Sequence, residues 1–358
     1  MLDSVSQATT TSAQKRIEVR LLRPEEDDDW DDFVMRHPHG SPFHLIAWKK
    51  TIEETFRYKP FYLVAGDASG IQGILPLFLA QNPITGRILI SSPFAVYGGI
   101  LAQSDETREA LHSRAKEIGI EQKAEYIELR NAYPEQCAGV PNVSRYVTFS
   151  KELHADEAAL MASLTGKTRN KVRKALKEDF KAHHRVADLK SFFRVYSKTM
   201  RRHGTPVFPL EYFQNLLRNF GPMADVREIS LHGQALAVSL NLFFRDDMHT
   251  FYGATEPRFK STDANTYMYF DNLRWAGQNG YRTFDFGRSK RETGPFDFKR
   301  HWNTTMRELP YEVILVRRKD LPNFSPANPR FDIAIRLWRR LPLAVTQAIG
   351  PFLIRLFP

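Results

Sequence analysis

A single cysteine, Cys137, stands among 358 residues. One thiol forms no internal disulfide and builds no thiolate metal cluster, so neither a disulfide scaffold nor a zinc finger is expected. Also missing are a Gly-rich loop ending in Gly-Lys-Ser/Thr, a Gly-x-Gly-x-x-Gly turn after a strand, a His-Glu-x-x-His helix and a Gly-x-Ser-x-Gly elbow. Nucleotide hydrolysis, dinucleotide redox chemistry, zinc peptidase chemistry and serine hydrolysis therefore lose their usual markers. Cys137 sits in the turn-like "PEQCAGVP" with no helix N-terminus to lower its pKa, and covalent catalysis has no visible nucleophile. His37, His39 and His44 cluster in "RHPHGSPFH" without an Asp, Glu or Cys at a ligand spacing, so no metal is expected. The first 15 residues contain no apolar run of the kind a secretory signal needs, and read as a disordered tail of a cytoplasmic protein.

What is present is ordinary in amount and biased in sign. Hydrophobic residues are 42% and charged residues 26%, and the formal net charge is +10. That composition predicts a globular chain able to bury a large core, and the positive balance favours a phosphate-bearing partner or an anionic membrane. "RIEVRLL" (16–22) alternates as a strand, and the acids of "PEEDDDWDDFVMRH" suit the first turn of a helix. "SPFHLIAWKKTIEETF" predicts an amphipathic helix opening at Ser41-Pro42, with Leu45, Trp48, Ile52 and Phe56 on one face. Then come a hairpin in "FYLVAGDASGIQGILPLFLA", a strand in "GRILISSP", a helix over 105–118 closing on Gly119, and a strand over 124–130. The order recurs about 160 residues later: a hairpin turning at His232-Gly233, the strand "MHTFYGATE", a helix over 263–278 closing near Gly280, and the strand "RTFDFGR" (282–288). The period is domain-sized and implies a duplicated α/β (α+β) unit, with a cleft between two lobes. The expected boundaries are 16–152 and 153–320.

Between the repeats, 167–185 carries eight Lys/Arg against Glu178 and Asp179. Leu164, Val172, Leu176 and Phe180 form the expected buried stripe of a basic helix. Lys171, Arg173 and Lys174 flank it, either as a solvated face or as a phosphate-tracking surface. After the Pro/Asn-rich "NFSPANPR", residues 331–358 are apolar but interrupted by Arg336, Arg339, Arg340 and Arg355, and the longest uncharged run, Leu341–Ile354, is 14 residues. That is shorter than the ~20 residues a membrane helix needs. It suits either a peripheral contact with the inner membrane, with Trp338 dipping in, or a helix docked on the protein's own core.

Three stretches suggest chemistry. In "MRRHGTPVFPLEYFQNLL" a rigid bend holds His203 and Thr205 near one point. "FYGAT" ends a strand at Tyr252 and Gly253, where a ligand or another backbone can approach closely. "FDFGRS" puts Phe284 and Phe286 on one face of a strand and Asp285 on the other, where a carboxylate needs a partner.

Taken together, "SPFH…W" (41–48), "TRNKVRKALKEDF" (168–180), "HGTPVFP" (203–209), "FYGAT" (251–255), "FDFGRS" (284–289) and "FKRHW" (298–302) resemble the FemAB family of acyl and aminoacyl transferases. The tail "SPANPRFDIAIRLWRRLPLAVTQAIGP" is similar to FemAB-like proteins that accompany PEP-CTERM/exosortase and exopolysaccharide systems. The resemblance implies two tandem GNAT-like (acyl-CoA N-acyltransferase) domains with mixed sheets. It also implies transfer of an acyl or aminoacyl group to an amine of a cell-envelope or exopolysaccharide precursor. The family's charge-stabilising lysine falls on Lys299. On this reading Lys299 and Arg288 serve the oxyanion or a donor phosphate, Asp285 and His203 orient or deprotonate the amine, and Tyr252 and Trp302 line the cleft. The Arg/Gln-x-x-Gly-x-Gly/Ala loop that cradles coenzyme A is absent from both halves. The donor is thus either an acyl-CoA or an aminoacyl-tRNA, the latter held by Lys171, Arg173 and Lys174. The competing expectation is a non-catalytic scaffold of an envelope polysaccharide assembly.

Overall fold

A computed structural model describes residues 17–68, 70–83, 85–137, 142–143, 146–256, 262–321 and 332–358. The expected tail (1–15) and the linker at 323–330 lie outside these residues. The chain opens with β1 (Glu18–Leu21) and α1 (Asp27–Arg36), whose Asp27, Asp28 and Asp29 occupy the electropositive first turn. Helix α2 (Ile46–Phe56) begins later than Ser41, because Leu45 is extended (ψ 153°) after a 3-10 turn at Pro42–His44. Strands β2 (Lys59–Asp67) and β3 (Gly70–Asn82) form a hairpin, followed by β4 (Gly86–Ser91), β5 (Leu101–Ala102), α3 (Asp105–Glu121), β6 (Tyr126–Leu129) and β7 (Asn142–Val143). Gly119 does not end α3. It is buried inside the helix, where an added Cβ would stand 3.0 Å from Ile127 and 3.1 Å from Val316. It is a packing position rather than a cap.

Next come β8 (Val147–Glu152), α4 (Glu157–Ala162), α5 (Gly166–Ala175), β9 (Lys181–His183), α6 (Lys190–His203) and α7 (Leu210–Phe220). The repeat follows with β10 (Ala224–Leu231), β11 (Gln234–Phe244), β12 (Asp247–Thr255), α8 (Ala264–Gln278) and β13 (Thr283–Ser289). Last are α9 (Gly294–Arg300), β14 (Thr305–Glu308), β15 (Tyr311–Leu315), α10 (Asp332–Arg340) and α11 (Leu343–Ile354). The basic helix is shorter than its sequence stripe predicts. It ends at Ala175 and buries Thr168, Val172 and Ala175, while Leu176 is exposed.

The strand orders show the duplication. One sheet runs β1-β2-β3-β4-β6-β15-β7, with β5 also on β3, and the other runs β9-β10-β11-β12-β13-β8-β14. Each has an antiparallel hairpin, a third strand, a helix, and a fourth strand parallel to the third: β4 with β6, and β12 with β13. The fifth position is exchanged. β15, from the end of the second repeat, pairs with β6, and β8, from the end of the first, pairs with β13. Val147–Glu152 and Tyr311–Leu315 therefore lie across the boundaries expected from the sequence.

One core spans both lobes, with Trp30, Trp48 and Phe56 of the first meeting Phe192, Phe213 and Phe220 of the second. Helix α2 lies on α7, and buried Asn215 donates to Thr55 Oγ1 at 3.0 Å. Of the two expectations for the C-terminal segment, docking is observed over 332–358. Helices α10 and α11 contact α6, Trp338 Nε1 donates to Thr205 O at 3.1 Å, and Arg130 Nη2 donates to Pro358 O at 2.7 Å. Gly350 permits this approach, since a Cβ there would stand 2.8 Å from Val207 N and 2.9 Å from Val207 O. Among the described residues no helix is long and apolar enough to cross a membrane. Gly350→Ala is expected to lift α11 from the Val207 segment that follows α6, costing about 1–3 kcal/mol in urea unfolding and opening 332–358 to limited proteolysis.

Candidate functional site

The site arises where two parallel strands part. β12 and β13 are paired at Asp247–Thr283, Met248–Phe284 and His249–Asp285, and pairing stops there although both strands continue. Each strand is irregular at that point. Leu240 opposes Tyr252 and Asn241 opposes Thr250, so Phe251 is the extra residue of a bulge. On the other strand, register with β8 shifts between Asp285 and Arg288, and Gly287 takes φ +72°, a conformation glycine adopts without strain.

Lys299 reaches into this opening from α9, a short helix capped by Thr293. Its Nζ donates to Gly287 O and Arg288 O, each at 2.9 Å. An ammonium has three donors, so one N–H remains beyond these two bonds. Burial of the ammonium is the main cause that lowers the Lys299 pKa to about 8, and Arg288 adds to the lowering while Asp285 opposes it. Arg288 donates to Tyr311 Oη at 3.1 Å and lies 4.8 Å over the Tyr146 ring. Burial alone would lower its pKa, but Tyr311 and Tyr146 leave it raised.

Asp285 is saturated. It accepts from Tyr97 Oη at 2.6 Å, Gly287 N at 2.6 Å and Thr148 Oγ1 at 3.3 Å, and lies 3.4 Å from His249 Nδ1. Burial acts to raise the Asp285 pKa, yet His249, Tyr97 and the Gly287 N–H outweigh it and bring the carboxyl to about 2. Conversely, burial would lower the His249 pKa, and Asp285 leaves it raised. Tyr97 belongs to the first lobe, so this carboxylate joins the lobes and fixes the Gly287 turn on which Lys299 rests.

A cavity of about 280 Å³ opens beside Lys299. Of the expected site residues, Lys299, Arg288, Tyr252 and Thr205 line it. Asp285 stands behind Gly287 and outside the lining. His203 is exposed at the end of α6 and away from the lining, with its carbonyl accepting from Arg339 at 3.4 Å. Trp302, in the turn after α9, is 1% exposed and packs on Phe286 and Phe298 in the second core, outside the lining. Lys171, Arg173 and Lys174 are exposed on α5 and do not line the cavity, and Lys174 pairs with Asp263 at 3.0 Å.

Sequence reasoning missed Thr148 and His249, which strand pairing brings beside Asp285, and Tyr97, which reaches it from the loop between β4 and β5. It also missed the wall contributed by Ile354 and Phe357. Among the described residues no group of three His, Cys, Asp or Glu is placed to hold a metal. His44, fully buried, has Nδ1 on Ser41 Oγ at 2.8 Å and Nε2 on Gly99 O at 3.0 Å. It serves the fold.

Two lobes of repeated mixed α/β topology, the second with a cavity at its parted parallel strands, define a tandem GNAT-like protein. Residues 163–300 match the family model described as an acetyltransferase (GNAT) domain. The chain is similar to the crystal structure of FemX, with 17% identity, a TM-score of 0.65, and coverage of 84% of this chain and 98% of that one. It is also similar to the C-terminal domain of a putative lysylphosphatidylglycerol synthetase from Agrobacterium fabrum (11% identity, TM-score 0.54, covering 87% and 94%). A tandem GNAT protein from the clavulanic acid biosynthesis pathway matches at 10% identity and TM-score 0.54, covering 85% and 100%. At these identities the likeness concerns the fold. A comparison with curated proteins finds no match.

Tyr97→Phe removes one donor to the buried Asp285 carboxylate and is expected to cost about 1.5–3 kcal/mol of stability near neutral pH. Asp285 has a folded pKa below its unfolded value, so this contribution is present above the ordinary carboxylate range and lost as pH falls toward about 2. Urea unfolding of both proteins across acidic pH checks the convergence.

Proposed function

We propose that the protein transfers an acyl or aminoacyl group to an amine, with the reaction centre in the cavity where β12 and β13 part. The observation that carries this reading is Lys299, a buried ammonium hydrogen-bonded to two strand carbonyls inside the segment that matches the acetyltransferase domain. Attack of an amine on a donor carbonyl develops a negative oxygen. The remaining Lys299 N–H, with the Arg288 guanidinium nearby, is the positive group available to it. Among the described residues no Asp, Glu or His side chain lines the cavity, so the amine reacts in its neutral form and its proton leaves with the departing group. Asp285 acts as a positioning residue through Gly287, and Tyr252 and Thr205 contact the substrate.

The acceptor we assign is an amine of a cell-envelope or exopolysaccharide precursor, in a PEP-CTERM/exosortase-type setting. Support comes from the FemAB resemblance and from fold likeness to FemX and to a putative lysylphosphatidylglycerol synthetase. Lys171, Arg173 and Lys174 on α5 offer a phosphate-binding surface should the donor be a charged tRNA. We further place the protein in the cytoplasm with a peripheral contact at the inner membrane. In α10 and α11, Ile333 (65% exposed), Leu337 (59%) and Phe352 (72%) face outward, and Arg336, Arg339 and Arg340 lie on α10 to meet anionic head groups.

Lys299→Ala is expected to lower the transfer rate roughly 100- to 1,000-fold with folding retained, read as amide formation from a thioester or aminoacyl donor. An unchanged rate overturns the assignment. Because the cationic form acts, transfer falls as pH rises through about 8, and Lys299→Arg moves that limb upward. In vesicle flotation, the wild type is expected to bind phosphatidylglycerol vesicles, and the triple Ile333→Ser, Leu337→Ser, Phe352→Ser variant to bind at least roughly tenfold more weakly. Equal flotation of the two removes the membrane contact from the account.

A further inference from the structure

Resting on the transferase reading and on the membrane contact assigned above, we infer that residues 341–358 are a strap that closes the cavity in solution, and that an anionic bilayer opens it by drawing α10 and α11 outward. One segment carries both halves of this device. Ile354, Phe357 and Pro358 line the cavity together with Arg288 and Lys299. Val345, Ile349 and Phe352 form another stripe of α11 that is exposed, as are Ile333 and Leu337 of α10.

The strap runs from one lobe to the other across the cavity. On α6 of the second lobe, Arg201 Nη1 donates to Leu341 O at 3.1 Å, and Ser197 Oγ accepts from Gln347 Nε2 at 3.1 Å. In the first lobe, Thr55 O accepts from Arg355 Nη2 at 3.3 Å, Tyr58 Oη donates to Arg355 O at 3.3 Å, and Arg130 Nη2 donates to Pro358 O at 2.7 Å. The rim is tied as well, since Thr205 lines the cavity and its carbonyl accepts from Trp338 Nε1 of α10.

The hold is thin on the docked side. Among the described residues of 333–358, only Trp338, Thr346, Gly350 and Ile354 are buried, and Thr346 and Gly350 bring little apolar surface. The larger apolar stripe faces water, and a bilayer that takes it up competes with α6 for the same two helices. Arg336, Arg339 and Arg340 on α10 supply the attraction that selects anionic head groups. An interfacial helix sinks about 5–10 Å into the head-group boundary, a depth α11 reaches by parting from α6. Pro351 stands inside α11 and has no N–H for the Gln347 carbonyl, so the ladder is interrupted just before the residues that fill the cavity. Once Pro358 leaves, Arg130 Nη2 faces the space it occupied, where water or a substrate oxygen can replace the lost acceptor.

The test is acetylation of Lys299 in the full chain by N-hydroxysuccinimidyl acetate, read by mass spectrometry against Lys116, which is exposed on α3. Labelling of a covered amine follows the fraction of molecules whose cover is open. Lys299 is expected to label slowly in buffer and with phosphatidylcholine vesicles, and roughly tenfold or more faster, relative to Lys116, with phosphatidylglycerol vesicles. A chain ending at Arg340 should label fast without vesicles. So should the Tyr58→Phe, Arg355→Ala double variant, which keeps the strap and loses its bonds at Thr55 and Tyr58. The triple Ile333→Ser, Leu337→Ser, Phe352→Ser variant should stay slow with phosphatidylglycerol. Labelling of the intact chain in buffer as fast as that of the shortened chain overturns the strap, as does labelling unmoved by phosphatidylglycerol vesicles that float the protein. If the shortened chain does not fold, a double variant that labels at the wild-type rate in buffer overturns it instead. Labelling requires no transfer, so a strap that opens as expected while no amine is acylated overturns the transferase reading alone. Amide transfer at one rate with and without phosphatidylglycerol vesicles overturns the strap alone.

Discussion

Beyond His249 and Asp285, two parallel strands lose each other, and their backbone polar groups must find other partners. A buried carbonyl without a donor is costly, and a sheet that opens in its interior creates several at once. The chain answers at Gly287 and Arg288 with one side chain, the ammonium of Lys299. A positive charge held by two carbonyl dipoles is thereby fixed beside an apolar cavity. The feature that looks like a defect of the sheet is the one that places a cation where a developing negative oxygen would need it.

The rest of the architecture serves that opening. Each lobe completes its sheet with a strand from the other repeat, so neither is a continuous stretch of chain. Tyr97 from the first lobe donates to Asp285 of the second, and Asp285 accepts from Gly287 N, so the lobe contact and the turn that anchors Lys299 share one carboxylate. Ile354 and Phe357 then bring the C-terminal segment to the same cavity, giving the helices on α6 a part in shaping what binds.

The duplication was legible because it is local. Hairpin turns at His232-Gly233 and the alternation of "FDFGR" are written in adjacent residues, and the strand, helix and parallel-strand order followed from them. The strand exchange was not legible, since pairing of β8 with β13 and β15 with β6 joins residues far apart in sequence. Gly119 misled for a related reason: a glycine near a helix end reads as a stop, whereas here it lets α3 approach Ile127 and Val316. Within the site, Lys299 and Arg288 stood out from their motif, and Asp285 was correctly marked as needing partners. What the partners were, and that they leave the carboxylate saturated, depended on Tyr97, Thr148 and His249 arriving from three other segments. Trp302 shares a motif with Lys299 but not a direction, because α9 ends at Arg300 and Trp302 lies in the turn beyond it, packed on Phe286 and Phe298.

A lysine can satisfy carbonyls and remain an ordinary base if water reaches it. Here it is 8% exposed, and burial lowers its pKa to about 8 against the partial compensation of Asp285. The account therefore depends on a titration more than on any rate. NMR of the full-length protein labelled with lysine carrying carbon-13 at Cε, with the Lys299 signal identified from its absence in Lys299→Arg, reads that titration directly. A midpoint near 8 is the predicted result. A midpoint at the ordinary lysine value of about 10.4 would mean that Lys299 is solvated and does not bridge the parted strand, contradicting the account.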